Sequence, residues 1–312
     1  MEQEYKYMVC TRCFTFNQEN YVVDALNGFV KQETSFPVVY VIVDDDSTDN
    51  TADVIRKYVR DYFDVEDKSV AYEKDLDYGH VIFARHKTNR NCFFAVLFLN
   101  ENHHSKKKAK TPYLKEWTEN SKYRAICEGD DFWTAPDKLQ VQVAFLESHR
   151  DFSMCFHSVN NILPDGSSRV YSRYPEDVEE CPVEDFFHVG GAYAPTCSMV
   201  YDWRLLKPMP SFRKKSDVGD SPLILTLFLR GKVHFMKDVM AAYRVNSAGS
   251  WSQKQKQLSL SQIMEKSRTA RAYWDEVDRY TERKYARLIR QRKFHTWLSL
   301  GKSLYYYVLN KF

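Results

Sequence analysis

Apolar positions change their period along this chain, and the changes mark its elements. Tyr5 to Phe14 reads as a strand, and Val22, Leu26, Phe29 and Val30 follow at helical spacing. Val38 to Val43 is a short β-branched run, the pattern of a parallel strand buried on both faces. It stops at Asp44-Asp45-Asp46-Ser47, and a second amphipathic helix carries Ile55, Tyr58, Val59 and Tyr62 on one side. Cys92 to Leu99 is strand-like. A basic loop with Lys106, Lys107, Lys108 and Lys110 follows, and a short helix is expected over Pro112 to Asn120. Tyr123 to Cys127 reads as a strand that runs into Glu128-Gly129-Asp130-Asp131, and the next helix contains Leu139, Val143 and Leu146.

Strands alternating with helices imply an α/β fold, a mostly parallel sheet with helices on both faces. Ligands of such sheets sit beyond the carboxyl ends of the strands. Phe16-Asn17, Asp44 to Asp46 and Glu128 to Asp131 each follow a strand, so the three loops are expected to meet at one edge. Beyond Phe152 the pattern is less regular. Short strands are expected at Phe152 to Phe156 and Thr196 to Tyr201, and a helix at Pro222 to Arg230. Two further strands are expected at Val233 to Met236 and Val239 to Arg244, then helix from Gln253 onward.

The 312 residues are 44% hydrophobic and 28% charged, enough for one large domain or a domain plus an appendage. No run of about 18 apolar residues is present, and Met1 to Met8 lacks the apolar core of a signal peptide, so a cytoplasmic protein is expected. The seven Cys show no disulfide spacing, and Cys10 and Cys13, a lone CxxC within the first strand, read as buried structural thiols. The net charge of +3 conceals an asymmetry. Arg279 to Phe312 holds nine Lys/Arg and one acid, a net of +8, which leaves the remainder near −5.

Clustered carboxylates repel one another unless a cation or proton intervenes. Asp130 and Asp131 offer hard oxygen ligands suited to Mg²⁺ or Mn²⁺, ions that hold one or two protein carboxylates and take phosphate oxygens as further ligands. A solvated turn is the competing reading, and it suits Asp46 and Ser47, which precede a helix, better than it suits Glu-Gly-Asp-Asp followed by Phe132-Trp133. No GxGxxG or GxxxxGK[ST] occurs, which argues against dinucleotide and P-loop phosphate cradles. Lys106 to Lys110 are either phosphate neutralisers or a solvated loop.

At these residues the chain resembles the family 2 glycosyltransferases of GT-A fold, the inverting enzymes that include builders of bacterial surface polysaccharides. Thr15-Phe16-Asn17-Gln18-Glu19-Asn20-Tyr21 is similar to the family's TYNxExY, and Val41 to Thr51 to its IVDDGSTDGT. Cys127 to Trp133 with Pro136, Lys138 and Leu139 is similar to CEGDDYWTDPxKL, Val218 to Leu223 to GDxPL, and Tyr243-Arg244 with Gly249 to Ser252 to YRxHxxGxWS. Glu128 stands where most relatives have Asp, Asn246 where many have His, and Asp46 where Gly is usual. The match over Tyr72 to Lys115 is weak. The resemblance implies a GT-A domain over 1–255, with 1–150 its nucleotide-sugar-binding half and 151–255 its acceptor-side half. A basic, aromatic helical extension occupies 256–312.

It also implies roles. Thr15, Phe16, Asn17 and Glu19 lie in the nucleotide-binding loop, with Phe16 near the base, and Asp45 accepts from the uracil N3–H, which favours a UDP-sugar. Glu128 and Asp130 hold the ribose and diphosphate, and Asp130 and Asp131 the Mn²⁺ or Mg²⁺. Asp220 corresponds to the catalytic base. Helix capping is the alternative for Asp220, although Pro222 at the first helical position makes Ser221 the cap. Trp133, Tyr243 and Trp251 are sugar-stacking candidates or core aromatics. The acceptor implied is a glycan or a lipid-linked hydroxyl. Two other classes compete. A sugar-nucleotide nucleotidyltransferase needs a Gly-rich loop where Phe14 to Asn17 stand, and a nucleic-acid binder using the tail is disfavoured by the acidity of the rest. The tail, with Phe294, Trp297, Leu298, Leu304, Tyr305 and Val308 at helical spacings, is either docked on the domain or held on an anionic membrane face.

Overall fold

The computed structural model describes residues 4–245 and 259–309. The first half alternates as the pattern predicts, with β3, β4 and β7 added: β1 (Tyr7–Thr15), α1 (Val22–Val30), β2 (Val38–Asp44), α2 (Thr51–Tyr62), β3 (Tyr72–Leu76), β4 (Gly79–Arg85), β5 (Cys92–Leu99), α3 (Lys115–Glu119), β6 (Ser121–Ile126), β7 (Phe132–Trp133) and α4 (Lys138–Ser148). The second half holds β8 (Phe152–Ile162), β9 (Ser168–Tyr171), α5 (Val183–Val189), β10 (Val200–Tyr201), α6 (Asp220–Phe228), β11 (Lys232–Arg244), α7 (Leu260–Tyr280) and α8 (Ala286–Leu309).

One sheet runs through the described residues in the order β3-β4-β5-β2-β1-β6-β10-β8-β11-β7, with β9 paired to β8. Its centre, β5-β2-β1-β6, is parallel, and β8 and β11 are parallel to each other, while antiparallel pairs fill the flanks and the junction at β10. All seven residues of β2 are buried, because parallel strands flank it and both sheet faces are covered. Val9, Cys13, Tyr40 and Ile42 face α1 and α4 in one apolar cluster, while Val39, Val41 and Val43 face Leu114 and Trp117 in another. A third cluster gathers Ile126, Phe156, Phe186, Phe187, Phe212, Leu223 and Phe235 with Tyr273, Trp274 and Val277 of α7 and Ile289 of α8. The C-terminal helices are therefore bound into a core.

Several sequence expectations change. The hairpin β3–β4 was not anticipated, because β3 is exposed and carries no alternation. Val233 to Met236 and Val239 to Arg244 form one strand whose register shifts around Lys237-Asp238. Thr196 to Tyr201 is a 3₁₀ turn followed by two strand residues. The terminal helix is two helices, separated where Glu282 and Arg283 take left-handed φ values of 49° and 62°. All seven cysteines are free and buried, Cys10 and Cys13 among them. Asn246 and Gly249 to Ser252, including Trp251, lie outside the described residues.

Candidate active site at the carboxyl edge of the sheet

The parallel register brings Thr15, Asp44 and Ile126 to the same edge, so the loops that leave β1, β2 and β6 meet there. Side chains lace the first two together. The Asn17 backbone N–H donates to Ser47 Oγ at 3.0 Å, and Thr48 N–H donates to Asn17 Oδ1 at 2.8 Å. Gln18 N–H donates to Thr51 Oγ1 at 2.8 Å, Glu19 N–H to Asp49 Oδ2 at 3.2 Å, and the Asn50 side chain to Glu19 Oε2 at 2.7 Å. Asn17 adopts a left-handed φ of 54°, a conformation that Asn tolerates better than most residues. Asn17 and Glu19 thus hold the loop in shape, while Phe16 at its tip stays 39% exposed, an aromatic face open to a ligand.

The third loop packs on the first with no space to spare. A Cβ on Gly129 would lie 2.4 Å from Gln18 Oε1 and 2.9 Å from Thr15 Oγ1. Both of those oxygens are shielded and have no hydrogen-bond partner among the described residues. Glu128 turns back to β1, where it accepts from Arg12 Nη2 and from the Phe14 N–H, both at 2.9 Å. Asp131 is 2% exposed and accepts from the Arg244 N–H at 2.9 Å. Burial first, then the neighbouring charges of Asp130 and Glu128, push its carboxyl well above the usual carboxylate range. Like charges crowded into a dry corner are what a divalent cation relieves.

Among the described residues no group of three or more His, Cys, Asp or Glu is placed to hold a metal. Glu128 is committed to Arg12 and β1, so Asp130 and Asp131 are the pair that fits an ion completing its shell with phosphate oxygens. Arg244 ties this corner to β11: its Nη1 donates to the Asp130 carbonyl at 2.8 Å, its Nη2 pairs with Asp24 at 2.5 Å, and the guanidinium lies over Tyr21 and Phe132. In the sequence Arg244 stands out only beside Tyr243, with no sign of this role.

Asp45 is 2% exposed and already engaged. It accepts from the His103 N–H at 2.9 Å, the His104 N–H at 3.0 Å and Lys110 Nζ at 2.5 Å. Lys106 and Lys108 pair with Glu101. Asp45 therefore straps the basic loop down beside the edge, and three donors among the described residues occupy its carboxylate, which has room for about one more.

Asp220 comes from the other half of the chain. It is the first residue of α6, with Gly219 at the N-cap, so the helix starts two residues earlier than the expected cap at Ser221 and first position at Pro222. Its Oδ1 accepts from the Ser221 N–H at 2.7 Å. Its carboxylate lies on Gly191, where an added Cβ would meet Cγ and both oxygens at 2.9 Å. Tyr243 links the two halves: after burial, the charges of Asp131, Asp130 and Asp220 all act to raise its phenol. Asp130 and Asp131 of the first half and Asp220 of the second thus all lie within electrostatic reach of Tyr243. Trp133 is core, its Nε1 donating to the Cys197 carbonyl at 2.9 Å and the ammonium of Lys138 over its ring. Gly191 and the α8 residue Arg292 were missed in the sequence. Arg292 donates to the carbonyls of His188 and Val189 at 3.0 and 3.2 Å and fixes the turn that meets Asp220. No sequence pattern joins positions so far apart.

Residues 14–92 match the family described as Glycosyl transferase family 2. Over 243 residues, 76% of this chain, the sequence is 28% identical to uncharacterized proteins of Mycobacterium tuberculosis and Mycobacterium bovis. The chain spans 58% of the length of those curated relatives. Among solved structures, residues 1–349 of S. aureus TarS in complex with UDP-GlcNAc align with a TM-score of 0.56 at 17% identity, covering 87% of this chain and 66% of that one. The mannosyltransferase PcManGT from Pyrobaculum calidifontis, in complex with GDP-Man and Mn²⁺, aligns with a TM-score of 0.52 at 13% identity, covering 98% of this chain and 76% of that one. At such identities these likenesses speak for the fold, which is GT-A.

Proposed function

We infer that this chain, a family 2 glycosyltransferase by the match of residues 14–92 and by its GT-A fold, moves a sugar from a nucleoside-diphosphate donor to an acceptor hydroxyl with inversion. The observation that supports the reading is that the Phe16, Asp45 and Glu128–Asp131 loops leave one sheet edge, with Asp130, Asp131 and Asp220 all within electrostatic reach of Tyr243. The structural neighbours bind UDP-GlcNAc and GDP-Man, in keeping with a nucleotide-sugar donor, and Asp45 beside an exposed Phe16 favours UDP.

Phe16 stacks on the base and Asp45 accepts its edge N–H. Asp130 and Asp131 would hold a Mn²⁺ or Mg²⁺ ion, which when bound stabilises charge on the leaving diphosphate. Glu128 and Arg244 keep those carboxylates in place from β1 and β11. Asp220 takes the proton of the acceptor hydroxyl as its oxygen attacks the anomeric carbon from the face opposite the leaving group. Gly191 and the Ser221 N–H fix the direction of that carboxylate. The acceptor is a glycan or lipid-linked hydroxyl of polysaccharide assembly, met at an anionic membrane face by α8. Among the described residues no helix is long and apolar enough to cross a membrane.

The test is Asp220→Asn, assayed for UDP release from UDP-sugars with Mn²⁺ and for UDP binding by calorimetry. Turnover should fall about 10²–10⁴-fold, the usual contribution of a general base, with binding unchanged. Near-normal turnover would make Asp220 a helix-start residue and move the base elsewhere.

A further inference from the structure

The sheet face away from α1 and α4 carries a seam of arginines between the apolar cluster under Trp117 and the cluster under α7. Arg12 shares its strand face with Cys10, and Arg124 shares its own with Ile126, members of those two clusters, while Tyr201 pairs with Arg124 across β6 and β10. Arg213 stands in the 3₁₀ turn Ser211–Lys215, whose Phe212 belongs to the same apolar cluster as Ile126 and Tyr201. Its neighbour Phe212 is buried, with Tyr273 and Tyr280 edge-on at ring distances of 6.0 and 5.1 Å. The charges that act most on the Arg213 guanidinium are those of Tyr201, Arg124, Arg12 and Tyr273, and none of them is a carboxylate.

Compensation is incomplete. Glu128 pairs with Arg12, and Arg124 donates to the neutral Thr118 hydroxyl at 2.8 Å. Among the described residues no ion pair reaches Arg124 or Arg213. Arg12 Nε and Arg213 Nη1 are shielded donors with no acceptor among the described residues. A guanidinium cannot relieve such a position by giving up its proton. Burial already works against the charge of Arg213. An anion with several acceptor oxygens relieves it, and the guanidinium fork suits phosphate and carboxylate geometry. The Arg12 side chain keeps 30% of its exposure, so the seam is open to solvent.

We propose that Arg12, Arg124 and Arg213 form an oxyanion site beside the Glu128 loop, sized for a phosphate or carboxylate group. The site stands on the arginines alone, but the identity of its occupant rests on the glycosyl-transfer reading. On that reading the oxyanion is carried either by the acceptor or by the donor's diphosphate.

Inorganic phosphate is the probe. Titrated into the full chain, it should bind saturably, with sulfate competing and added NaCl weakening it. Arg213→Met should lose about tenfold or more in affinity, and Arg213→Lys should recover part of that loss. Arg124→Gln should act in the same direction, and circular dichroism and melting curves establish that each variant is folded. Repeating the titration with saturating UDP and Mn²⁺ separates the sources. Phosphate excluded by UDP marks the donor's diphosphate, and phosphate bound equally to the UDP complex marks the acceptor. No saturable binding, or equal binding by wild type and folded variants, overturns the site. A chain that binds phosphate through Arg213 but no nucleotide keeps the site and rejects the glycosyl-transfer reading.

Discussion

Asp45 faces two demands at once. Its carboxylate fixes the backbone of His103 and His104 and the ammonium of Lys110, and on the proposed function it also reads a base edge. Asp45→Ala should weaken UDP binding by about 1.5–3 kcal/mol, the range for a hydrogen bond to a charged group, and open the loop at Lys106 to Lys108 to trypsin. Calorimetry in which wild type binds UDP and GDP equally would remove the base-reading role, and unchanged cleavage would remove the strap. Asp131 makes a complementary case. Burial and like charges disfavour its carboxylate, so without a divalent ion Asp131→Asn should melt higher than wild type at neutral pH, its Oδ1 still accepting from Arg244. Adding Mn²⁺ with UDP should raise the wild-type melting point and leave the variant's unmoved. A variant that responds to Mn²⁺ as wild type does would show that Asp131 is no ligand. The sequence made Asp45, Asp130, Asp131 and Asp220 legible because each sits in a local pattern. The strap, the Gly129 contact and the Arg292 clamp were illegible because they join residues whose proximity only the tertiary fold creates.

At the scale of elements, periodicity revealed what is buried and missed what is not. β5 lies over Cys92 to Leu99 as read, since eight apolar residues in a row leave no alternative, whereas exposed β3 gave no signal. For the tail the sequence allows docking on the domain or attachment to a membrane face, and the structure shows its first part docked. Tyr273, Trp274, Val277 and Ile289 are buried in a core, while Phe294, Trp297 and Leu298 are 57%, 59% and 45% exposed. Arg283, Lys284, Arg287 and Arg290 are exposed ahead of them. A truncation near Asp278 would remove Ile289 and the Arg292 clamp, so it should destabilise the fold by about 2–5 kcal/mol from the lost isoleucine alone. Phe294→Ser with Trp297→Ser should leave the melting curve within about 0.5 kcal/mol of wild type. The same pair should abolish co-sedimentation with anionic vesicles at low salt. Equal sedimentation of wild type and the double variant would end the membrane role without touching the docked one.

For the molecule as a whole, the seven buried thiols set the response to alkali. Each is raised by burial, Cys10 and Cys181 to about 11 and Cys155 to about 12. A group raised on folding contributes stability below its unfolded value, near 8.5 for a thiol, and loses it as pH climbs toward the folded value. The urea midpoint should therefore fall steeply from about pH 8.5 upward, by on the order of 1 kcal/mol per thiol per pH unit. Lys138 opposes that trend. It is fully buried, donates to Gln142 at 2.7 Å, and burial depresses it to about 8. Its charge penalty fades between pH 8 and the unfolded value near 10.4, so stability gains there from this one residue. Lys138→Met should fall more steeply than wild type across that window. Parallel urea curves for the two would show that Lys138 does not titrate as its burial implies.

The lacing between the loop after β1 and the loop after β2 has a kinetic consequence. Asn17, Gln18 and Glu19 are bonded to Ser47, Thr48, Asp49, Asn50 and Thr51 by side chain to backbone contacts in both directions, so neither loop can lift without breaking several at once. Their amides should therefore exchange with deuterium as one cooperative unit, with a shared opening free energy and a shared slowing when nucleotide binds. The binding edge would then behave as a single hinged flap.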